Sequence, residues 1–320
     1  MKDRIKTYRT EIMGIATIMI LLGHSVFYGE GYVHYGILND FITLGYSGVD
    51  IFLFLSGFGL AFSMNRNDKK TFWKHRINRL LPSFVCVWIL FLLVHFKGFS
   101  RDTLYAPLLM LYLGGYWYIG FLSIAYLIFP WLYSFSLKKN GYLVFTISIM
   151  ISLSFLMPFV IKGTAVSCNP LVCIVTRVPI FTLGMLYAIG KFDIINKLYF
   201  ICAIFVIGLL SLIPYYEAKD LGGNRLFTTY YSILLLTVPV IYAYLKILKS
   251  FLWGGHFLRW IGSLSLDVYL VQVTIMPVIM NKLHSMNINS YLNVMISVFI
   301  VVVVSFLINR FCNKILMQQI

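Results

Sequence analysis

The sequence predicts an all-α, polytopic membrane protein, and its composition, hydropathy and charge distribution all point to that class. Of the 320 residues, 60% are hydrophobic and only 12% are charged, whereas a soluble domain is typically about 45–50% apolar and about 25% charged. The mean hydropathy is +0.86, and uncharged stretches long enough to cross a bilayer recur along the chain. This composition excludes a soluble globular enzyme and a disordered chain.

Ten segments meet the requirement for about 20 predominantly apolar residues in a membrane-spanning helix. The predicted spans are residues 12–28, 43–63, 80–96, 117–136, 142–161, 171–189, 198–214, 227–245, 260–280 and 291–309. The first lacks the small-residue cleavage site of a signal peptide, so we expect it to belong to the bundle. No repeat or polar appendage marks a second unit, and residues 1–320 are predicted to form one transmembrane domain.

The formal net charge of +15 is explained by membrane topology, because cytoplasmic loops carry an excess of Lys and Arg. With the N-terminus inside, the inner segments contain 19 of the 26 Lys and Arg residues and the outer segments contain six. We therefore place both termini in the cytoplasm and expect no nucleic-acid partner. Five cysteines without a pairing or metal-ligand spacing predict neither a disulfide framework nor a zinc site.

Three ionisable side chains within the predicted spans are candidates for function, because charge inside a bilayer is costly. His24 lies in the first span, Asp50 near the outer end of the second and Arg177 in the sixth. At about 1.5 Å per residue, each lies about 6–10 Å below the outer surface, which predicts a shared polar cavity. The structural alternative is a helix–helix hydrogen bond for His24 and a buried Asp50–Arg177 ion pair.

Two acidic residues lie near the cytoplasmic ends of their spans. Glu11 is at the inner edge of the first span, and Asp267 lies about one turn inside the ninth, near Arg259. We expect a structural role for Asp267. Gly57 and Gly59 in the second span predict the close approach of another helix.

A basic run at residues 69–79 enters the third span. Its Arg76 and Arg79 are three residues apart and would share one face of a helix. Two guanidinium groups on one face can bind phosphate bidentately. Topology and contact with anionic headgroups explain the same charges without a ligand, so both interpretations stay open.

Six short motifs, in order along nearly the whole chain, resemble the membrane acyltransferase 3 family. His24 follows Met13 at the spacing of that family's Arg–ten residues–His pattern. The other five motifs are residues 48–58, 72–82, 116–119, 177–184 and 262–270. Any single motif is weakly specific, but their common order on a ten-span frame makes the resemblance strong.

The resemblance implies an integral membrane O-acyltransferase in the plasma (inner) membrane of a bacterium. It would move a short acyl group, usually acetyl, from cytoplasmic acetyl-CoA or another acyl-CoA to a hydroxyl of an extracytoplasmic or lipid-linked glycan. The implied partners are membrane lipid and that glycan, with no metal cofactor. A homodimer or a place in a polysaccharide-synthesis complex is compatible with this interpretation.

The candidate residues would divide this reaction among them. His24 suits a general base for the acceptor hydroxyl, or it forms a transient acyl-histidine. Asp50 would orient the imidazole, and Arg177 would stabilise the oxyanion. The phosphates of CoA would bind Arg76 and Arg79. Predicted to bind substrate are Trp117, Tyr118, Tyr269 and Gln272, and the two tyrosines are further oxyanion candidates.

Two positions depart from the family pattern. Met13 stands where the family usually has arginine, and Gln272 stands where many members have histidine. A variant donor or acceptor, a site reorganised around Glu11 and Arg177, and an inactive relative all fit these departures.

Two other classes of protein use the same polar residues differently. A transporter or flippase of lipid-linked saccharide is disfavoured, because the sequence has no inverted repeat and no paired broken helices. A catalytically silent partner in polysaccharide assembly is the other alternative.

Overall fold

The computed structural model describes residues 2–29, 33, 42, 45, 47–95, 105–108, 110–111, 115–161, 170–191, 241 and 255–317. All regular secondary structure in these residues is helical, which confirms the predicted all-α class. The helices are α1 (Lys2–Thr7), α2 (Arg9–Tyr28), α3 (Ser47–Arg66), α4 (Lys69–His95), α5 (Trp117–Lys138), α6 (Gly141–Ile161), α7 (Pro170–Thr176), α8 (Val178–Ala188), α9 (Gly255–Ser263), α10 (Ser265–Ser285) and α11 (Ser290–Met317).

Six helices in the described part of the chain are long and apolar enough to cross a membrane, namely α2, α3, α4, α5, α10 and α11. They correspond to the first four and the last two predicted spans. The seventh and eighth predicted spans, 198–214 and 227–245, lie outside the described residues apart from residue 241. The total of ten spans and the cytoplasmic position of the termini therefore stay predictions.

The third span is longer at its N-terminal end than hydropathy alone indicates. Helix α4 begins at Lys69, not at residue 80, and so includes the whole basic run. The Asp68 carboxylate accepts a hydrogen bond from the backbone N–H of Lys70 (3.1 Å), as a helix-capping residue does. Arg76 and Arg79 consequently lie on neighbouring turns of a continuous helix.

Two predicted spans are interrupted. The sixth divides at Arg177 into α7 and α8, because Pro179 near the start of α8 has no N–H to continue the helical hydrogen bonding. The ninth corresponds to α10 preceded by the short helix α9, with Leu264 at the junction. Arg177 therefore lies at a helix junction instead of within one continuous helix.

Helix α3 packs closely on α8 at a reciprocal pair of glycines. A Cβ atom on Gly57 would collide with the carbonyl oxygen of Phe181, and a Cβ on Gly184 would collide with that of Phe54. The two backbones are thus in direct contact, as at other small-residue crossings between membrane helices. This contact confirms the close approach predicted at Gly57.

Helices α2 and α3 run antiparallel. A Cβ on Gly48, in the first turn of α3, would lie 2.5 Å from the carbonyl oxygen of Ala16, whereas Gly59 faces the side chain of Arg9. The start of α2 and the end of α3 therefore share one end of the bundle. The end of α2 and the start of α3 share the other.

Replacing Gly57 with alanine is expected to destabilise the protein by about 1–3 kcal/mol, because the added methyl group forces α3 and α8 apart. The midpoint of thermal unfolding in detergent should fall by several degrees. The matched control is Gly255→Ala, since none of the described residues lies within 4 Å of a Cβ at that position. Equal midpoints for the two variants would show that the crossing at Gly57 tolerates a side chain.

Candidate functional site

Asp50 and Arg177 form a buried ion pair between the start of α3 and the start of α8. Arg177 Nε lies 3.4 Å from Asp50 Oδ1, and the two side chains are 6% and 3% exposed. The guanidinium also donates to the carbonyl oxygen of Cys173 and to the hydroxyl of Thr176, both at 3.4 Å. Its centre lies 4.9 Å from that of the Trp117 ring. The arginine is therefore fixed on several sides, as the structural interpretation predicts for a buried ion pair.

His24 lies four residues before the end of α2. Its ring stacks on that of Tyr28, with centroids 5.3 Å apart, and lies beside the side chain of Gln272 on α10. Gln272 is only 1% exposed, so this contact holds the imidazole against α10. The structure thus pairs His24 with Gln272 and Asp50 with Arg177, and the orientation of His24 by Asp50 stays a prediction.

The packing of α3 on α2 also places Asp50 deeper in the bundle than His24. Gly48 lies against Ala16 and Ile20, so Asp50 is level with the middle of α2. His24 lies about 10 Å farther toward the C-terminal end of that helix, at 1.5 Å per residue. The two groups therefore differ in depth by more than span counting predicts.

Three tyrosines connect the start of α5 to α10. The hydroxyl of Tyr269 donates to the carbonyl oxygen of Gly115 (2.7 Å) and accepts from the backbone N–H of Tyr118 (3.4 Å). The hydroxyl groups of Tyr116 and Thr274 are hydrogen-bonded to each other (2.5 Å). The hydroxyl of Tyr269 is thus engaged by backbone groups, which favours a structural role for it over the predicted contact with substrate.

The end of the bundle at which α2 begins contains a cavity with about 470 Å³ of empty space, part of it open to solvent. Three arginines line it: Arg76 and Arg79, as predicted candidates, and Arg9, which the sequence analysis treated only as a topological charge. Among the described residues, its lining includes no Asp or Glu. We call this cavity the arginine pocket. Its other lining residues are Met13, Phe52, Ser56, Leu60, Leu80, Tyr118, Leu122, Tyr126, Ser265 and Leu266.

The arginine pocket is elongated along the helices. Three of its walls are stripes of residues at four-residue spacing, namely Arg9 and Met13 on α2, Phe52, Ser56 and Leu60 on α3, and Tyr118, Leu122 and Tyr126 on α5. Because four residues make about one helical turn, each stripe follows one face, and the longer stripes extend about 12 Å. The stripes place the cations at one end of the cavity and apolar and aromatic groups toward the bundle interior.

Arg76 is the best-fixed cation of the pocket. Its Nη2 donates a 2.8 Å hydrogen bond to the hydroxyl of Ser63 on α3. The guanidinium lies 5.5 Å from the ring centre of Phe72 and 6.0 Å from that of Tyr126. Arg79 is exposed at the mouth of the same pocket. Oriented guanidinium groups of this kind suit the bidentate recognition of phosphate.

Two buried acidic residues near this end of the bundle, Glu11 and Asp267, have hydrogen-bond partners outside the lining of the arginine pocket. Glu11 is buried and accepts hydrogen bonds from Arg259 Nη2 (2.6 Å) and Nε (3.2 Å). Asp267 accepts a hydrogen bond from Asn309 (2.7 Å), which links α10 to α11 and agrees with its expected structural role. In the described ranges, no group of three or more His, Cys, Asp or Glu residues could hold a metal ion.

Comparison with known proteins gives one match at the level of a family. The model of the acyltransferase 3 family, described as an acyltransferase domain, matches residues 13–310. This range includes every predicted site residue and begins just after Arg9. No curated protein and no solved structure matches the chain.

Replacing Asp50 with leucine is expected to destabilise the protein by about 3–5 kcal/mol, because it leaves the charge of Arg177 buried without its counter-ion. The double variant Asp50→Leu with Arg177→Met should recover most of that loss, since an apolar pair needs no charge compensation. Thermal unfolding midpoints in detergent measure both effects. A double variant no more stable than Asp50→Leu would mean that the ion pair does not account for the loss.

Proposed function

Because the chain belongs to the acyltransferase 3 family, we propose that it transfers a short acyl group, acetyl in the first instance, from cytoplasmic acyl-CoA to a glycan hydroxyl. Family membership and six candidate spanning helices make it a multi-pass membrane acyltransferase. The finer proposal is carried by one observation: the arginine pocket and His24 are joined by a single helix, α2.

The arginine pocket has the chemistry of a donor site for acyl-CoA. Coenzyme A carries its phosphate groups at one end and the thioester at the end of a thin, flexible arm. Guanidinium groups at the mouth match the phosphates, and the elongated inner part, lined by Met13, Phe52 and Leu122, matches the arm. Tyr118 and Ser56 also line the pocket, so hydroxyl groups lie along this path.

The distance between the arginine pocket and His24 suits such a donor. Met13 lines the pocket, and His24 lies about 16 Å farther along α2 at 1.5 Å per residue. An arm that continues beyond the pocket along α2 would bring its thioester toward His24. A compact donor that carries its acyl group directly on phosphate lacks this reach.

His24 acts as the general base in the proposed reaction. Its neutral imidazole removes the proton from the acceptor hydroxyl while the hydroxyl oxygen attacks the thioester carbonyl carbon. The carbon–sulfur bond then breaks, and the leaving thiolate takes the proton from the imidazolium. Stacking on Tyr28 and the neighbouring buried side chain of Gln272 restrict the ring during these transfers. In the alternative route, the imidazole itself accepts the acyl group and passes it to the hydroxyl.

Arg177 contributes a fixed positive charge near the acceptor side. Its contacts with Asp50 and Trp117 hold the guanidinium in place before the reaction, which is the condition for effective stabilisation of an oxyanion. We assign the acceptor to an extracytoplasmic or lipid-linked glycan in the inner membrane of a bacterium, since His24 lies toward the predicted outer end of α2. A homodimer or a polysaccharide-synthesis complex is compatible with this function.

His24→Ala is expected to reduce acyl transfer roughly 10²–10⁴-fold, because it removes the general base. The assay follows radiolabel from acetyl-CoA into the glycan fractions of purified membranes. His284→Ala, at an exposed histidine near the end of α10, is the matched control and should be fully active. Full activity in His24→Ala, at equal protein level, would refute the proposed chemistry.

The same labelled donor separates the two routes. An acyl-histidine intermediate would leave label on the wild-type protein when acceptor is omitted, and none on His24→Ala. Direct transfer would leave both unlabelled.

Arg76→Ala combined with Arg79→Ala is expected to raise the KM for acetyl-CoA roughly 10²–10⁴-fold, because each charge-assisted hydrogen bond contributes about 1.5–3 kcal/mol and about 1.4 kcal/mol is a factor of ten. The kcat at saturating donor should change far less, since these groups bind the phosphates and not the reacting atoms. Lys74→Ala is the control, because Lys74 is an exposed cation on the same helix. An unchanged KM in the double variant would return both arginines to a purely topological role.

A further inference from the structure

We propose that Arg9 is a third phosphate-binding residue of the donor site and supplies there the cation that α2 lacks at Met13. The class of ligand, a phosphate-bearing acyl donor, rests on the proposed function. The position of the site and its positive charge are argued from the contacts of Arg9 itself.

Arg9 is the first residue of α2 and lies one helical turn before Met13 on the same face. Both residues line the arginine pocket. The guanidinium of Arg9 lies across α3 at Gly59, where a Cβ would be 3.0 Å from Nη2. The close approach predicted at Gly59 therefore involves this side chain. Glycine at that position leaves the guanidinium room to lie against α3 and line the pocket.

The charge of Arg9 is not balanced by any acidic residue in the described part of the chain. Ion pairs there join Arg177 to Asp50 and Arg259 to Glu11. Glu11 is two residues from Arg9 and so lies on a different face of α2. Arg9 Nε is buried and, among the described groups, has no hydrogen-bond partner.

Like charges make this arrangement costly in the absence of a ligand. Arg76 and Arg79 are close enough to Arg9 to repel its guanidinium, and the partly buried site weakens screening by water and salt. A cation needed only for topology would lie in solvent, as Arg4 does on α1. Three converging guanidinium groups instead match a ligand with more than one phosphate group, which would neutralise them together.

The family comparison does not account for Arg9, since the matched range begins at residue 13. Within that range, the residue of α2 that lines the pocket is Met13. The three-dimensional arrangement places a guanidinium beside it, from one turn earlier. The pocket therefore still has a cation from α2, located one turn earlier than position 13.

The test is the affinity of the purified full chain in lipid nanodiscs for CoA, measured by calorimetry. Arg9→Met should weaken CoA binding about tenfold or more and make it less dependent on salt, because one cation is removed. It should raise the KM for acetyl-CoA by a similar factor with little change in kcat. Arg4→Met removes an exposed cation from the preceding helix and should leave both constants unchanged.

Moving the cation provides the second variant. Arg9→Met combined with Met13→Arg should recover most of the lost affinity, because both positions line the same pocket. Thermal unfolding with and without CoA shows whether each variant is folded, since a bound ligand raises the midpoint. An Arg9→Met protein that binds CoA like the wild type would overturn the inference. If Arg9→Met alone misfolds, the double variant decides the question. A double variant that regains the fold but not the affinity for CoA would also overturn the inference, because position 13 would then not supply the missing cation to the pocket.

The two proposals fail in different ways. If Arg76→Ala with Arg79→Ala leaves CoA affinity intact, the arginine pocket is not the donor site and the proposed function loses its support. If that variant weakens binding while Arg9→Met does not, only the role of Arg9 is refuted.

Discussion

The contact between α3 and α8 is the constraint on which both ends of the molecule depend. Gly57 and Gly184 let the two backbones touch, so the helices are held at a fixed distance and register. One consequence is that Asp50, in the first turn of α3, meets Arg177 at the start of α8. The other is that the remaining face of α3, which includes Ser56, is available to line the arginine pocket. A single helix therefore shapes both clusters, and a change in its position would disturb the two together.

The two clusters handle charge in opposite ways. Between α3 and α8, Asp50 neutralises Arg177, and the guanidinium stacks on Trp117, so that charge is largely satisfied within the protein. The arginine pocket instead contains three cations without an acidic residue among its described lining. In a low-dielectric setting an unbalanced charge costs much more than a paired one. This contrast is the physical basis for treating Arg177 as a preorganised charge and the unbalanced pocket as the site of an anionic ligand.

Much of the candidate site could be predicted from the sequence, but its pairings could not. Histidine and charged residues in apolar spans stand out, because such groups are rare and costly in a bilayer. Arg76 and Arg79 could be assigned to one face from their spacing alone. In contrast, the contact between His24 and Gln272 joins residues from the two ends of the chain. No local pattern encodes it. Arg9 was missed for a related reason, since an arginine at the start of a span resembles any other topological charge.

The sequence by itself determined the class of the protein and the approximate places of its helices. In a bilayer every backbone N–H and C=O must be satisfied within the segment, so long apolar runs have little choice but to form helices. Which helices touch, at which level and with which side chains facing one another depends on packing between segments far apart in the chain. Only the tertiary structure could decide that Arg177 lies at a helix junction beside Asp50. It also decided that Arg9 joins the arginine pocket, because both results require the register between helices that the backbone contacts impose.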